Sequence, residues 1–163
     1  MGRVGQSTPD ATHLIKVACQ TALGLRDFIE VFGEDYDTPD GTCIRDYIHV
    51  TDLVDAHVKA LHHLEENDEN LVLNCGYGRG FSVREVLAAT ETLITERLDI
   101  RTASRRPGDA TRLISDASEI RRRLHWQPKH DDLKFIIGTA LEWERRLSGT
   151  SSKQSDTHSI SGN

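Results

Sequence analysis

No apolar run in the 163 residues is long enough to cross a bilayer, which excludes a helical membrane span. The stretch from Met1 to Asp10 lacks the apolar core of a signal peptide, so nothing in it directs export. Cysteine is scarce: Cys19, Cys43 and Cys75 are an odd set with no two close in sequence. That excludes a disulfide framework and fits a reducing compartment, so the expected location is cytoplasmic. Basic residues are too few for a broad nucleic-acid footprint, because 20 Lys and Arg face 26 Asp and Glu, a formal charge of −6. No internal repeat is visible. The length suffices for one domain with a real core and a short tail.

Strand and helix signals alternate along the chain, which implies the α/β class. Thr8-Pro9-Asp10 reads as a helix start, with Ala11, Leu14, Ile15, Ala18, Cys19 and Ala22 at helical spacing and Gly24 as the stop. Phe28 to Phe32 is a short β-prone run, and Gly33 to Cys43 has loop chemistry around Pro39-Asp40-Gly41. Asp46 to Val50 reads as a second strand. Thr51 or Asp52 then caps a helix whose buried stripe would be Leu53, His57, Ala60, Leu61 and Leu64, broken at Asn67-Asp68-Glu69-Asn70. Leu71 to Asn74 is an apolar run of the kind buried on both faces of a sheet. Ser82 and Glu85 form a capping box for a helix carrying Val83, Val86, Leu87, Thr90, Leu93 and Ile94 on one face. Ile100 to Ala103 reads as a strand, Arg105 to Asp109 as a loop, and Asp116-Ala117-Ser118-Glu119 as a cap for a helix ending near Leu124. Leu133, Ile136, Ile137, Ala140, Leu141, Glu144 and Leu147 outline the last helix, with Trp143 on its flank. The ordered portion is expected to be 1–147, with 148–163 a disordered polar tail.

Most searches for chemistry fail. Gly76-x-Gly78-x-Gly80 has its third glycine one residue too early for a dinucleotide fingerprint, so a tight turn joining strand to helix is the better reading. His57, His62 and His63 are not spaced to aim two imidazoles at one ion, and His57 reads as a packed histidine. No G-x-S-x-G occurs. A Tyr-x-x-x-Lys pair is also missing: Tyr36, Tyr47 and Tyr77 are followed four positions later by Asp40, Thr51 and Phe81. Two arginine-bearing loops remain, Asp40 to Tyr47 and Arg105 to Asp109. A guanidinium is a planar fork of donors suited to phosphate oxygens, so two such loops converging could clamp a pyrophosphate. Against that, Arg45 can pair with Asp46 or Asp40, and Arg106 with Asp109, as solvated ion pairs. The residues alone favour that plainer reading. Arg121-Arg122-Arg123 spreads around a helix and reads as a solvated face.

The run from Thr38 to Leu53 (TPDGTCIRDYIHVTDL) resembles the C-terminal half of the UDP-glucose 4-epimerases, isomerases of the extended short-chain dehydrogenase/reductase group. Asn74-Cys75-Gly76-Tyr77-Gly78 with Ser82-Val83, Arg105 to Asp109, Asp116-Ala117-Ser118 and Leu124-x-Trp126 fit the same family. The likeness runs from about Gly2 to Leu147. It implies that Glu30-Val31-Phe32 cradles uracil through backbone groups, that Arg45 and Arg106 hold the pyrophosphate, and that Asp109 binds ribose. It places Tyr47 beside this cluster and sets His13 and Leu14 against the phosphates or the sugar. Leu113 falls where some members put a bulkier residue against the hexose, so a smaller side chain there would admit N-acetylated sugars.

The resemblance also implies what this chain lacks. In the family, the NAD fingerprint and the Tyr-x-x-x-Lys pair lie in the N-terminal half, which is not part of this sequence. NAD is thus expected in the full-length family enzyme and not on this chain, which should be inactive alone. It reads as the UDP-sugar half of an epimerase of galactose and nucleotide-sugar metabolism, truncated or split. Leu71 to Asn74 would complete the Rossmann sheet of the missing half, so the chain alone should be marginal, self-associating or dependent on that partner. Two alternatives stand beside this one: a non-catalytic remnant holding UDP weakly, and a fragment of a related sugar-nucleotide dehydratase or decarboxylase.

Overall fold

The computed structural model describes residues 5–8, 10–67 and 69–155. Pro9, Asp68 and the last part of the expected tail, 156–163, lie outside the described residues. The architecture is α/β, built from five helices and two small sheets among those residues.

The first sheet carries the part of the fold that matters most for function. β1 (Ile29–Phe32) pairs in parallel with β4 (Ile100–Ala103), with Ile29 opposite Ile100 and Phe32 opposite Ala103. Alternation along β1 sends Ile29 and Val31 inward, 2% and 1% exposed, where they meet Ala18, Leu87 and Leu98. Glu30 and Phe32 face the other way. In the second sheet, β2 (Ile44–Arg45) lies between β3 (Phe81–Ser82), antiparallel, and β5 (Arg112–Leu113), parallel. Ile44 is buried, so Arg45 emerges on the opposite face.

Helices close over both sheets. α1 (Leu14–Ala22) packs on α3 (Val83–Glu91) and α5 (Leu133–Ser155), burying Cys19, Val86, Leu133, Ile137 and Leu141 together. α2 (Val50–Glu66) packs on α4 (Ser118–Leu124) around Ala56, Ile120, Leu124 and the fully buried Trp126. The expected capping box is present: the Ser82 hydroxyl accepts from the Glu85 N–H at 3.0 Å, and the Glu85 carboxylate accepts from the Ser82 N–H at 2.7 Å.

Two polar groups hold the interior together. The Asp52 carboxylate, on a residue 3% exposed, accepts from the Tyr77 hydroxyl at 2.7 Å and from the N–H groups of Lys129 and His130 at 3.1 and 2.9 Å. Burial alone would raise that carboxyl, but the donors outweigh it and hold the group below its ordinary value. Lys16 of α1 pairs with Glu144 of α5, both buried, and Gln20 donates to the second Glu144 oxygen at 3.1 Å.

Several sequence expectations need correction. α1 starts at Leu14, with His13 as its cap, and not at Thr8-Pro9-Asp10. The strand expected at Asp46 to Val50 is displaced to Ile44–Arg45, because the Asp46 side chain ties down a turn and His49 caps α2 by accepting from the Thr51 N–H. On α2 the inward residues are Asp52 and Ala56, while Leu61 and Leu64 are 55% and 53% exposed. His57 is exposed as well, with Nδ1 2.8 Å from the Leu53 carbonyl. Apolar residues occupy both sides of this helix, so periodicity alone could not choose between them. Leu71 to Asn74 forms no strand among the described residues, and Val72 is fully exposed. α5 continues past Leu147 to Ser155. The arginines 121–123 are each engaged: Arg121 donates to the Tyr77 carbonyl, and Arg122 and Arg123 pair with Glu119 and Glu69.

Candidate functional site

The Gly76-Tyr77-Gly78 turn, read from sequence as a tight turn and not a dinucleotide fingerprint, is filled from within the protein. The Asp46 carboxylate accepts from the Tyr77 and Gly78 N–H groups at 3.1 and 3.0 Å and from the Ser115 hydroxyl at 2.8 Å. Gly78 has φ +77°, and a Cβ on Gly76 would overlap Ser115 Oγ and the Asp46 carboxylate. Gly76→Ala should therefore lower stability by about 1–3 kcal/mol through overpacking. An unchanged urea midpoint would show that Ser115 yields without cost.

Arg45 leaves β2 with Nη1 donating to the carbonyls of Ile44 and Ala110 at 2.9 and 2.6 Å, and Nη2 lies 3.5 Å from Asp109 Oδ1. Arg106 reaches the same carboxylate, Nε to Oδ2 at 3.4 Å, with its guanidinium 4.2 Å above the Phe32 ring. Neither Asp40 nor Asp46 pairs with Arg45. Asp40 instead accepts from the Thr42 N–H and hydroxyl at 2.9 and 2.8 Å and from the Ser82 hydroxyl, anchoring the loop to the start of α3.

These groups stand at one cavity of about 550 Å³, within the range of small-molecule sites. Of the residues singled out from sequence, Leu14, Glu30, Phe32, Arg45, Tyr47, Arg106 and Asp109 line it. Val31 does not line it, being 1% exposed and packed with Ala18, Leu87 and Leu98. His13 opens onto a second cavity beside Lys16, and Leu113, 64% exposed, lines neither. Arg26, Phe28 and Cys43 line the first cavity and were missed. Phe28 had a legible signal, since it opens the β1 run; Arg26 and Cys43 had none. Burial pushes the Tyr47 phenol up to about 12, so at neutral pH it is a hydrogen-bond donor and not a base.

The backbone of β1 supplies the remaining polar edge. The Ile29 N–H donates to the Asp99 carbonyl and the Gly33 N–H to the Ala103 carbonyl, both at 2.9 Å. By alternation the N–H and C=O groups of Glu30 and Phe32 point to the opposite edge, which pairs with no strand among the described residues. The cavity therefore joins a strand edge that pairs with no strand among the described residues to aromatic rings, the guanidiniums of Arg26, Arg45 and Arg106 and the carboxylates of Asp27, Glu30 and Asp109. Among the described residues no group of three His, Cys, Asp or Glu is placed to hold a metal.

Residues 6–135 match the family described as GDP-mannose 4,6 dehydratase. The chain is 59% identical over 146 residues to a UDP-glucose 4-epimerase of Azospirillum brasilense, covering 90% of this chain and 42% of that protein. Among solved structures it resembles the UDP-Glc/GlcNAc 4-epimerase of Campylobacter jejuni (53% identity, TM-score 0.75, 87% of this chain and 43% of that one). It also resembles the UDP-glucose 4-epimerase of Stenotrophomonas maltophila with bound NAD and formylated UDP-arabinopyranose (39% identity, TM-score 0.83, 92% and 44%). It thus spans less than half the length of the relatives it matches, in their C-terminal part. A match over most of its length shows that the chain belongs to the GDP-mannose 4,6 dehydratase family, and within it resembles the C-terminal half of the UDP-glucose 4-epimerases.

Proposed function

We propose that this chain is the UDP-sugar-binding part of a UDP-glucose 4-epimerase. The observation that carries the reading is the convergence of Arg45 and Arg106 on Asp109 at one cavity, beside the free edge of β1. Each residue has a matching task. The two guanidiniums hold the diphosphate, Arg45 pre-aimed by two carbonyls and Arg106 braced on Phe32. Asp109, positioned between them, accepts from a ribose hydroxyl. The exposed backbone groups of Glu30 and Phe32 match the donor and acceptor edge of uracil. The Stenotrophomonas maltophila relative holds a UDP-sugar, which agrees with this assignment.

NAD does not fit the residues of this chain. The one glycine-rich turn after an apolar run has its N–H groups taken by Asp46, and no lysine stands four residues after any tyrosine. The redox step of epimerisation accordingly belongs to the portion that the relatives carry ahead of the matched region. This chain contributes recognition and not chemistry. The same observation favours a second reading, a non-catalytic module that holds UDP without a partner. Mixing the chain with that N-terminal portion and NAD separates the two: C4 epimerisation of UDP-glucose supports the first, and UDP binding without turnover the second.

Sugar preference gives a further test. Leu113 lines neither cavity, but the family resemblance sets it against the hexose; on that reading Leu113→Tyr should lower affinity for the N-acetylated UDP-sugar relative to UDP-glucose by about tenfold, or 1.4 kcal/mol. Equal binding of both sugars by both forms would remove Leu113 from the site.

A further inference from the structure

The wall of the first cavity carries a thiol. Cys43 precedes β2 by one residue, so alternation sets it on the same side of the chain as Arg45, with the buried Ile44 between them, and both line the cavity. The other two thiols are placed to stay inert. Cys19 is fully buried with Sγ 3.9 Å from the Ile137 carbonyl, and burial pushes it up to about 12. Cys75 packs against the core around Trp126, and burial, with the carboxylates of Asp46 and Asp52, holds it above its ordinary value.

A second feature stands beside Cys43. The Tyr36 hydroxyl is buried and has no hydrogen-bond partner among the described residues, whereas buried polar groups are nearly always satisfied. The side chain is held in place. Its ring lies 4.0 Å beneath the Arg105 guanidinium, Arg105 is tied to Asp35 at 2.6 Å, and the Tyr36 N–H donates to the Gly41 carbonyl at 3.0 Å. The phenol faces Cys43, and burial above all raises it from its ordinary value, so it is a donor with nothing to donate to. A neutral thiol is a weak acceptor and a thiolate a strong one. The resting protein therefore keeps, beside this sulfur, a donor that the reacting form of the sulfur uses.

We propose that Cys43 is a thiol–disulfide exchange site in the wall of the first cavity, taking a small disulfide that carries carboxylates, and that the adduct and UDP exclude one another. The exclusion rests on the UDP-sugar reading; the exchange site does not. Charge selects the reagent, because Arg45 and Arg106 offer the same donor forks to a carboxylate as to a phosphate. In the exchange, Cys43 Sγ forms a bond to one sulfur of the disulfide and the S–S bond breaks. The departing thiolate takes the proton that the Cys43 thiol gives up, and no other oxidant is consumed. The Tyr36 O–H donates to Sγ while the sulfur carries the negative charge. Excess thiol reverses the exchange and frees the cavity.

Two disulfides of similar size and opposite charge test this on the whole chain: dithiodiglycolate, a dianion, and cystamine, a dication, with the modified peptides mapped by mass. With each rate taken relative to free cysteine, dithiodiglycolate should react at Cys43 at least about tenfold faster than cystamine. Arg45→Ala should remove that preference. Tyr36→Phe should slow the reaction at Cys43 about fivefold or more and leave Cys75 unchanged, without lowering the melting midpoint, since it deletes an unsatisfied hydroxyl. Saturating UDP should slow the reaction at Cys43 about tenfold or more, and the treated chain should regain UDP binding only on addition of excess thiol. In Cys43→Ser, UDP affinity should be the same before and after treatment. Adducts confined to Cys75, equal relative rates for the two disulfides, a Cys43 rate untouched by Tyr36→Phe, or UDP binding that survives the Cys43 adduct would overturn the proposal. Failure of UDP to bind the untreated chain, with Cys43 still reacting as described, would instead contradict the UDP-sugar reading.

Discussion

Replacing Asp52 with Ala is expected to cost about 3–5 kcal/mol of folding stability, as for a buried polar centre stripped of one partner. Three donors converge on this carboxylate, the Tyr77 hydroxyl and the N–H groups of Lys129 and His130, and all would be stranded away from water. The damage would spread, because Tyr77 passes the contact on: its hydroxyl oxygen accepts from the His49 N–H at 3.1 Å at the start of α2. Asp52→Asn keeps an acceptor oxygen and should lose less. A urea midpoint unchanged in Asp52→Ala would mean that water satisfies these donors.

The same centre sets an acid limit. The folded Asp52 carboxyl lies below its ordinary value of 3.8, so the unfolded chain takes up the proton more readily. Its contribution is whole above about pH 4 and fades as the pH falls through the folded value. His49 works in the same direction from higher pH. Burial and the neighbouring His130 lower its pKa, with Asp52 opposing, so neutral His49 favours the folded state fully above 6.5 and progressively less below. Stability should decline from pH 7 to 5 and again below pH 4. Asp52→Asn should flatten the lower arm, and an acid-insensitive midpoint in the wild type would refute both assignments.

Arg45→Ala is expected to weaken UDP binding roughly 10- to 150-fold, the equivalent of about 1.5–3 kcal/mol for a charge-assisted contact. The corresponding loss at Arg106 should be smaller. The Arg45 side chain is 25% exposed and held by two carbonyls, so little ordering remains to be done on binding; that of Arg106 is 55% exposed and held by a ring face. Arg45→Lys should fall between wild type and Ala, because an ammonium keeps the charge and loses the fork. A UDP affinity unaffected at Arg45 would leave it as a structural ion pair.

How much of this was legible in the sequence follows from the range of the interactions. The Ser82–Glu85 box, the β1 and β4 runs and the two arginine loops are local patterns, and the structure holds them where they were expected. The partner of Arg45 was sought among nearby acids, whereas Asp109 lies on the other loop and is brought close by the pairing of β2 with β5. Those two strands, and β3, are two residues each and exist only through that pairing, so no periodicity could announce them. Asp46 and Asp52 looked like a strand residue and a cap, but each gathers donors from distant segments. The burial of Lys16 was invisible for the same reason, since its counter-charge lies on α5. Leu71 to Asn74 had the composition of a strand and found no neighbour to pair with.

The central claim is that two guanidiniums meet over a shared diphosphate. It is tested most directly by titrating UDP and uridine separately into the chain and into its Arg45→Ala, Arg106→Ala double variant. UDP should bind the wild type at least about a hundredfold more tightly than uridine, and that advantage should collapse in the double variant while uridine affinity holds. Equal affinities of UDP and uridine for the wild type, or a UDP advantage that survives the loss of both arginines, would contradict the account.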